Sequence, residues 1–265
     1  MKQKTSQNKV GLALGSGALK GIAHVGVIKT LEENGIPIDF IAGTSIGALV
    51  GAFYAYFGNS AILEHIVLES DLKNTLGLLD PSLKKGLLRG EKVMDFIKQH
   101  LPIKKFSELK KPLAVVATDL ETGEPEVIKK GDLILAVRAS ISIPVIFRPI
   151  KRERKLLIDG AMTMPVPVGV LKEMGADIVI AVNLYNYSKK HKRRSNKFNL
   201  SFIGNRSAKI MLYQLAKKDV ENADVVIEPD VEGFSFIELI KKREKILQLG
   251  EKAATEKISL IKKLL

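Results

Sequence analysis

Neither cysteine nor tryptophan occurs among the 265 residues. The missing thiols exclude disulfides, thiolate metal sites and cysteine nucleophiles together, and nothing points to an oxidising compartment. Histidine is nearly as scarce, with four in the chain, at positions 24, 65, 100 and 191. Long apolar runs are missing too. The longest uncharged apolar run covers residues 46–57, well short of the roughly 20 residues of a membrane-crossing helix, and so reads as a buried helix. The polar first residues lead straight into a strand-like Val10-Gly11-Leu12-Ala13-Leu14, without the apolar core of a secretion signal. The expectation is a cytoplasmic protein.

Acidic residues are in deficit. The net charge is +13, and it is uneven: residues 1–188 hold 24 Lys and Arg against 19 Asp and Glu, residues 189–265 hold 18 against 10. The densest block is Lys189-Lys190-His191-Lys192-Arg193-Arg194-Ser195-Asn196-Lys197. Such a block reads either as a solvated loop or as a contact for an anionic membrane, where each basic residue near the surface contributes about 1 kcal/mol. No nucleic-acid motif accompanies it, so no nucleic-acid partner is expected. Peripheral contact with the inner membrane surface through 189–197 is the expected partner reading. Nothing in the sequence sets an oligomeric state.

The apolar pattern alternates between strands and helices. Residues 10–14 read as a strand buried on both faces, residues 22–33 as a helix stopped by Asn34-Gly35, and residues 40–42 as a second strand, a parallel crossover. Further strands are expected at 113–120, 126–128, 155–160, 178–182 and 225–227. Helices are expected within 60–101, with breaks at Gly77, Pro81, Gly86 and Gly90, and at 133–140, near Leu171, at 207–218 and over the C-terminal 235–265. This last helix is basic and amphipathic, which suits either a membrane surface or, preferably, the core. Residues 141–150, with Pro144 and Pro149, read as a rigid loop. The expected organisation is a polar tail at 1–8 and one α/β domain at 9–265, a mostly parallel sheet flanked by helices, with a basic loop at about 186–205.

Chemistry concentrates where the second strand breaks. Gly43-Thr44-Ser45-Ile46-Gly47 is a Gly-x-Ser-x-Gly pentapeptide between strand and helix, the pattern of a tight elbow that presents a serine at a helix N-terminus. Ser45 is the candidate nucleophile. Gly15-Ser16-Gly17-Ala18-Leu19-Lys20-Gly21 also joins a strand to a helix. It misses the dinucleotide fingerprint, because its sixth position is Lys20, and it misses the Walker loop, because Lys20 precedes Gly21 rather than following it. An oxyanion hole formed by N–H groups near Gly17, Ala18 and Leu19 remains, with a tight structural turn as its bland counterpart. A base for Ser45 is harder to place. His24, His65 and His100 sit on helices without partner motifs, and His191 lies in the basic block. The base must then be a carboxylate at a strand end, Asp119 or Asp159, and spacing does not choose between them.

These segments resemble the patatin-like phospholipases of the compact bacterial type. The loop 15–21 with its Lys20-Gly21 ending, the elbow 43–47, and Asp159-Gly160-Ala161 are similar to three family motifs in the right order. Residues 118–123 and 138–144 also resemble family segments. The resemblance implies a three-layer α/β/α fold and a Ser45–Asp159 dyad hydrolysing acyl esters of lipids. It implies Gly17, Ala18 and Leu19 at the oxyanion, Gly15, Lys20, Gly21, Gly43, Gly47 and Gly160 shaping loop and elbow, and no metal or cofactor. Ser16 and Ala18 stand where many members carry glycine, and Met164 where asparagine commonly precedes the proline. The alternative expectation is a patatin fold of weak or absent catalysis, acting as a membrane-binding or regulatory module.

Overall fold

The computed structural model describes residues 8–69, 90–186 and 199–265. The tail (apart from Asn8), the expected breaks at Gly77, Pro81 and Gly86, and the basic block 189–197 lie outside the described residues.

Five strands form the parallel part of the sheet. β1 (Val10–Leu14) runs between β2 (Phe40–Thr44) and β7 (Ile178–Val182), with β8 (Val225–Ile227) beyond β7 and β3 (Leu113–Asp119) beyond β2. Three antiparallel strands extend it: β4 (Pro125–Ile128) and β6 (Lys155–Asp159) both pair with β3, and β5 (Ile150–Arg152) pairs with β6. β5 takes up the last residue of the segment read as a loop at 141–150, because residues 150–152 close a short hairpin onto β6.

Both faces of the sheet are covered, as unbroken apolar strands require. Leu12, Leu14, Ile41 and Val115 pack into one layer with α1 (Ile22–Glu33), α2 (Ile46–Phe57), α5 (Leu133–Ser140) and α9 (Arg243–Leu264). Helices α3 (Ser60–Glu69) and α4 (Glu91–His100) lie on the same side. The alternate residues Ala13, Ala42, Ala114 and Val116 pack on the opposite face against α6 (Val168–Glu173) and Ala216 of α7 (Leu200–Asp219). The result is a single α/β domain of three layers.

Helix α7 begins seven residues earlier than the sequence pattern suggests. Asn199 caps it, its side-chain oxygen accepting from Phe202 N at 2.8 Å, which satisfies one of the otherwise unpaired first-turn donors. The expected C-terminal helix divides at Lys242 into α8 (Phe236–Lys241), opened by a Ser235–Glu238 capping box, and α9. Helix α9 belongs to the core, burying Ile246, Leu247, Ala254 and Ile261. Two glycines set its distance from α1. A Cβ at Gly26 would stand 2.1 Å from Leu247 O, and one at Gly250 would stand 2.1 Å from Ala23 O. The two backbones therefore touch, and no side chain fits between them. Gly250→Ala should force the helices apart and lower stability by about 1–3 kcal/mol, the usual range for overpacking. Urea unfolding checks this; an unchanged midpoint would mean that α9 is not clamped against α1.

Candidate active site

The site is assembled on β3. Val115 and Val116 pair with β2 on one edge and β4 on the other, and Ala117 and Thr118 pair with β4 and β6. Because a strand has only two edges, β2 and β6 share the edge away from β4. β2 runs parallel to β3 and ends with Thr44 opposite Val116, while β6 runs antiparallel and ends with Asp159 opposite Ala117. Their C-terminal ends meet head to head, one residue apart along β3. The residue after β2 is Ser45, and Ser45 Oγ donates to Asp159 Oδ2 at 2.7 Å.

Each half of this pair is held by its own turn. Ser45 has φ 55 and ψ −122, a strained conformation for a residue with a side chain. The glycines around it let the turn close: a Cβ at Gly47 would lie 2.0 Å from Leu14 O, and one at Gly43 2.4 Å from Gly47 O. On the other side Asp159 Oδ1 accepts from Ala161 N at 2.9 Å, and Gly160 passes so close to β3 that a Cβ would stand 2.2 Å from Val116 O. The end of α5 braces both halves. Ser140 Oγ accepts from Ser45 N at 2.8 Å while donating to Val116 O at 2.6 Å, and Ser142 O accepts from Asp159 N at 3.0 Å. Arg138, fully buried and 4.8 Å from the Phe147 ring, donates to Ser142 Oγ at 2.7 Å. Within the segment 138–144 the sequence pattern gives Arg138, Ser140 and Ser142 no role of their own. The Ser-x-Ser spacing after a strand-following helix was the available signal.

Ser45 and Asp159 are 5% and 3% exposed. Burial pushes the Asp159 carboxyl up to about 6, against the smaller opposing effects of the Ala161 N–H and Ser45 hydroxyl. The carboxylate is thus ionised near neutrality yet far more basic than one in water.

The loop 15–21 lies across the same cleft. Gly15 N donates to Val182 O and Ser16 N to Pro165 O, which ties the loop to the rest of the fold, and residues 18–21 close into one 3₁₀ turn. Ala18 takes φ 51, a left-handed conformation that glycine would adopt more easily. Among the described residues, no carbonyl accepts from Gly17 N or Ala18 N. Ser16 Oγ donates to Tyr185 OH at 3.1 Å, and Lys20 forms an ion pair with Glu232 while its Nζ stands 5.9 Å from the Tyr185 ring. Tyr185 and Glu232 carry no motif and were invisible in the sequence. His24 is wholly buried, and burial lowers its pKa to about 4. Its Nε2 lies 2.7 Å from Gly15 O; a carbonyl only accepts, so the neutral ring carries its proton on Nε2. His24 is a strut under the loop.

Asp119 does not join Ser45. It is buried one β3 register step beyond the Thr118–Ile158 pair, and its Oδ1 accepts from Glu121 N at 3.1 Å, closing the β3–β4 turn. His65 is exposed on α3, and His100 caps its own helix, with Nδ1 2.9 Å from Phe96 O. A cleft of about 760 Å³ contains Ser45, Asp159 and residues 16–20, walled by Tyr185, Val145, Met162 and one face of α7. Its volume is that of a small-molecule site. No cluster of metal-ligating side chains occurs among the described residues.

A family model described as patatin-like phospholipase matches residues 12–172. The chain belongs to the patatin-like phospholipase family. It is 39% identical over 181 residues to an uncharacterized NTE family protein of Mycobacterium tuberculosis, covering 68% of this chain and 50% of the relative. It is 32% identical over 184 residues to the human patatin-like phospholipase domain-containing protein 6, covering 67% of this chain and 13% of the relative. A lysophospholipase nte1 of Aspergillus oryzae is 32% identical over 192 residues, covering 66% of this chain and 12% of the relative. The chain thus spans half the length of the mycobacterial relative and a smaller share of the others. Among solved structures, VipD from Legionella pneumophila shares the fold with a TM-score of 0.54 at 13% identity, covering 95% of this chain and 67% of VipD.

The raised Asp159 pKa makes a stability prediction with a definite sign. Between its ordinary value of 3.8 and about 6, the native state holds a proton that the unfolded chain has lost. Protonation therefore favours folding in that window, and above pH 6 the native state bears the whole penalty of the buried charge. At about 1.4 kcal/mol per pH unit, Asp159→Asn should be more stable than the wild type by up to about 3 kcal/mol at pH 7, a gap that closes towards pH 4. Urea melts of both proteins at the two pH values check it; a variant less stable at pH 7 would contradict the burial penalty.

Proposed function

We propose that the chain is a serine acyl hydrolase acting on lipid esters. The 2.7 Å hydrogen bond from Ser45 Oγ to Asp159 Oδ2 carries this reading, and the patatin-like phospholipase and lysophospholipase names of its family and relatives supply the substrate class. Asp159 takes the proton as Ser45 Oγ attacks the ester carbonyl. The N–H groups of Gly17, Ala18 and Leu19 stabilise the oxyanion; loss of one such donor typically costs about 3 kcal/mol. Collapse breaks the bond to the leaving alcohol, which leaves with the proton from Asp159, and the acyl group stays on Ser45. Water then attacks, giving its proton to Asp159; the carboxylic acid departs and Ser45 Oγ is reprotonated. The Gly17 and Ala18 N–H groups, which have no carbonyl acceptor among the described residues and lie beside Ser45 in the cleft, support the oxyanion role.

Because Asp159 must be ionised to act as base, kcat/KM for a p-nitrophenyl ester should rise with pH through about 6 and level off above it. Ser45→Ala and Asp159→Asn should each lose at least about 10³-fold in rate, while Asp119→Asn keeps most activity. Labelling by a fluorophosphonate ester should require Ser45. A Ser45→Ala protein with unchanged turnover, or an Asp119→Asn protein that has lost it, would move the nucleophile or the base. An inert Ser45 with a bound lipid would instead favour the non-catalytic module.

A second observation concerns where the enzyme works. Leu200, Ile203, Ile210 and Met211 recur at helical spacing on α7 and are 88%, 50%, 43% and 65% exposed, while its opposite side, through Ala208 and Leu212, lines the cleft. Together with the adjacent basic block 189–197, this supports a peripheral contact with an anionic membrane. No described helix is long and apolar enough to cross one. Vesicles containing anionic lipid should bind the protein, with binding that weakens as salt rises and falls in Ile203→Ser/Met211→Ser. Equal binding to neutral vesicles would overturn this contact.

A further inference from the structure

Behind the elbow lies a second hollow of about 80 Å³, lined among the described residues by no polar side chain. One wall is a single stripe of α2, with Ile46, Leu49, Val50 and Phe53 at i, i+3, i+4 and i+7. Leu63 of α3 and part of α4 form the other wall. The stripe begins at the residue after Ser45 and runs about 10 Å along the helix. Leu19 borders both this hollow and the large cleft that contains Ser45 and Asp159. The 15–21 loop thus borders both spaces, with Leu19 common to the two.

We propose that this hollow receives the tail of the substrate's acyl chain. A hydrocarbon chain that enters such a hollow leaves water and gains apolar contact along its length. The described residues of its wall offer no hydrogen-bonding side chain to a head group, a phosphate or water, and such a wall suits hydrocarbon. The head group and leaving alcohol then remain in the large cleft, whose lining includes Lys20, Tyr185, Asn205 and Lys209. The two compartments divide an ester at its carbonyl. Selectivity for the acyl chain is set by the Ile46-Leu49-Val50-Phe53 stripe, and selectivity for the alcohol by the loop and α7.

The inference rests on the hydrolase reading for its substrate, so its test includes a readout that needs no turnover. Val50→Phe fills the hollow from α2, and Leu63→Ala enlarges it from the facing helix. The ratio of kcat/KM for p-nitrophenyl octanoate to that for the acetate should fall about tenfold or more in Val50→Phe, since each methylene loses its apolar contact, and should rise in Leu63→Ala. In parallel, octan-1-ol should bind calorimetrically to the Ser45→Ala protein and not to Ser45→Ala/Val50→Phe. If Val50→Phe does not fold, Leu63→Ala decides alone through the octanoate ratio. A ratio unmoved by the variants that fold, with octan-1-ol bound regardless of position 50, would overturn the acyl hollow. Ester turnover that survives Ser45→Ala would overturn the hydrolase assignment and leave the octan-1-ol result standing on its own.

Discussion

A buried carboxylate facing a buried hydroxyl is the constraint on which the rest of this structure depends. Asp159 is 3% exposed and still close enough to Ser45 to accept its proton. Burial makes the carboxylate basic, with a pKa of about 6, and the same burial makes it costly to the native state. An isolated buried charge would normally neutralise or draw in a cation. Here two donors, Ala161 N–H and Ser45 O–H, hold the anion in place. Two hydrogen bonds limit the rise without abolishing it.

Such a balance requires both groups to be fixed by backbone rather than by flexible side chains. Running β2 and β6 onto one edge of β3 from opposite directions does this with few parts. Each strand end then turns away sharply, and the glycines at 43, 47 and 160 are where a Cβ would strike a carbonyl oxygen. The strain at Ser45 and Ala18 is carried by this frame. Ser140 and Ser142 connect the two turns to α5, so a shift of either partner would have to move the helix as well.

Much of this was legible in the sequence, for physical reasons. Buried parallel strands leave unbroken apolar runs, so β1, β3 and β7 were visible, and the elbow and the Asp-Gly turn announce themselves because only glycine fits where the backbones touch. What stayed hidden depends on contacts distant along the chain. Tyr185 and Glu232 reach the loop 15–21 from 165 or more residues away and leave no local pattern. The start of α7 was missed because three turns of exposed helix carry no buried face, leaving Asn199 as their single local marker. The choice between Asp119 and Asp159 could not be made from spacing, since both end strands; it follows from pairing register, which places Asp159 next to Ser45 and Asp119 two steps further along β3.

The helices that frame the site are closely packed on one side and exposed on the other. Helix α1 is locked backbone to backbone against α9 through Gly26 and Gly250, and α2 leaves the elbow with its first turns against the loop, where a Cβ at Gly21 would stand 2.1 Å from Ile46. Helix α7 shows the opposite character: Leu200 and residues 202–211 are exposed, and one side of it borders the cleft. Closely packed elements therefore hold Ser45 and Asp159, and the exposed helix borders the cleft that contains them. Tight packing on the side of α1 and α2, with the exposed helix kept to the cleft, leaves the 2.7 Å contact between Ser45 and Asp159 fixed by backbone.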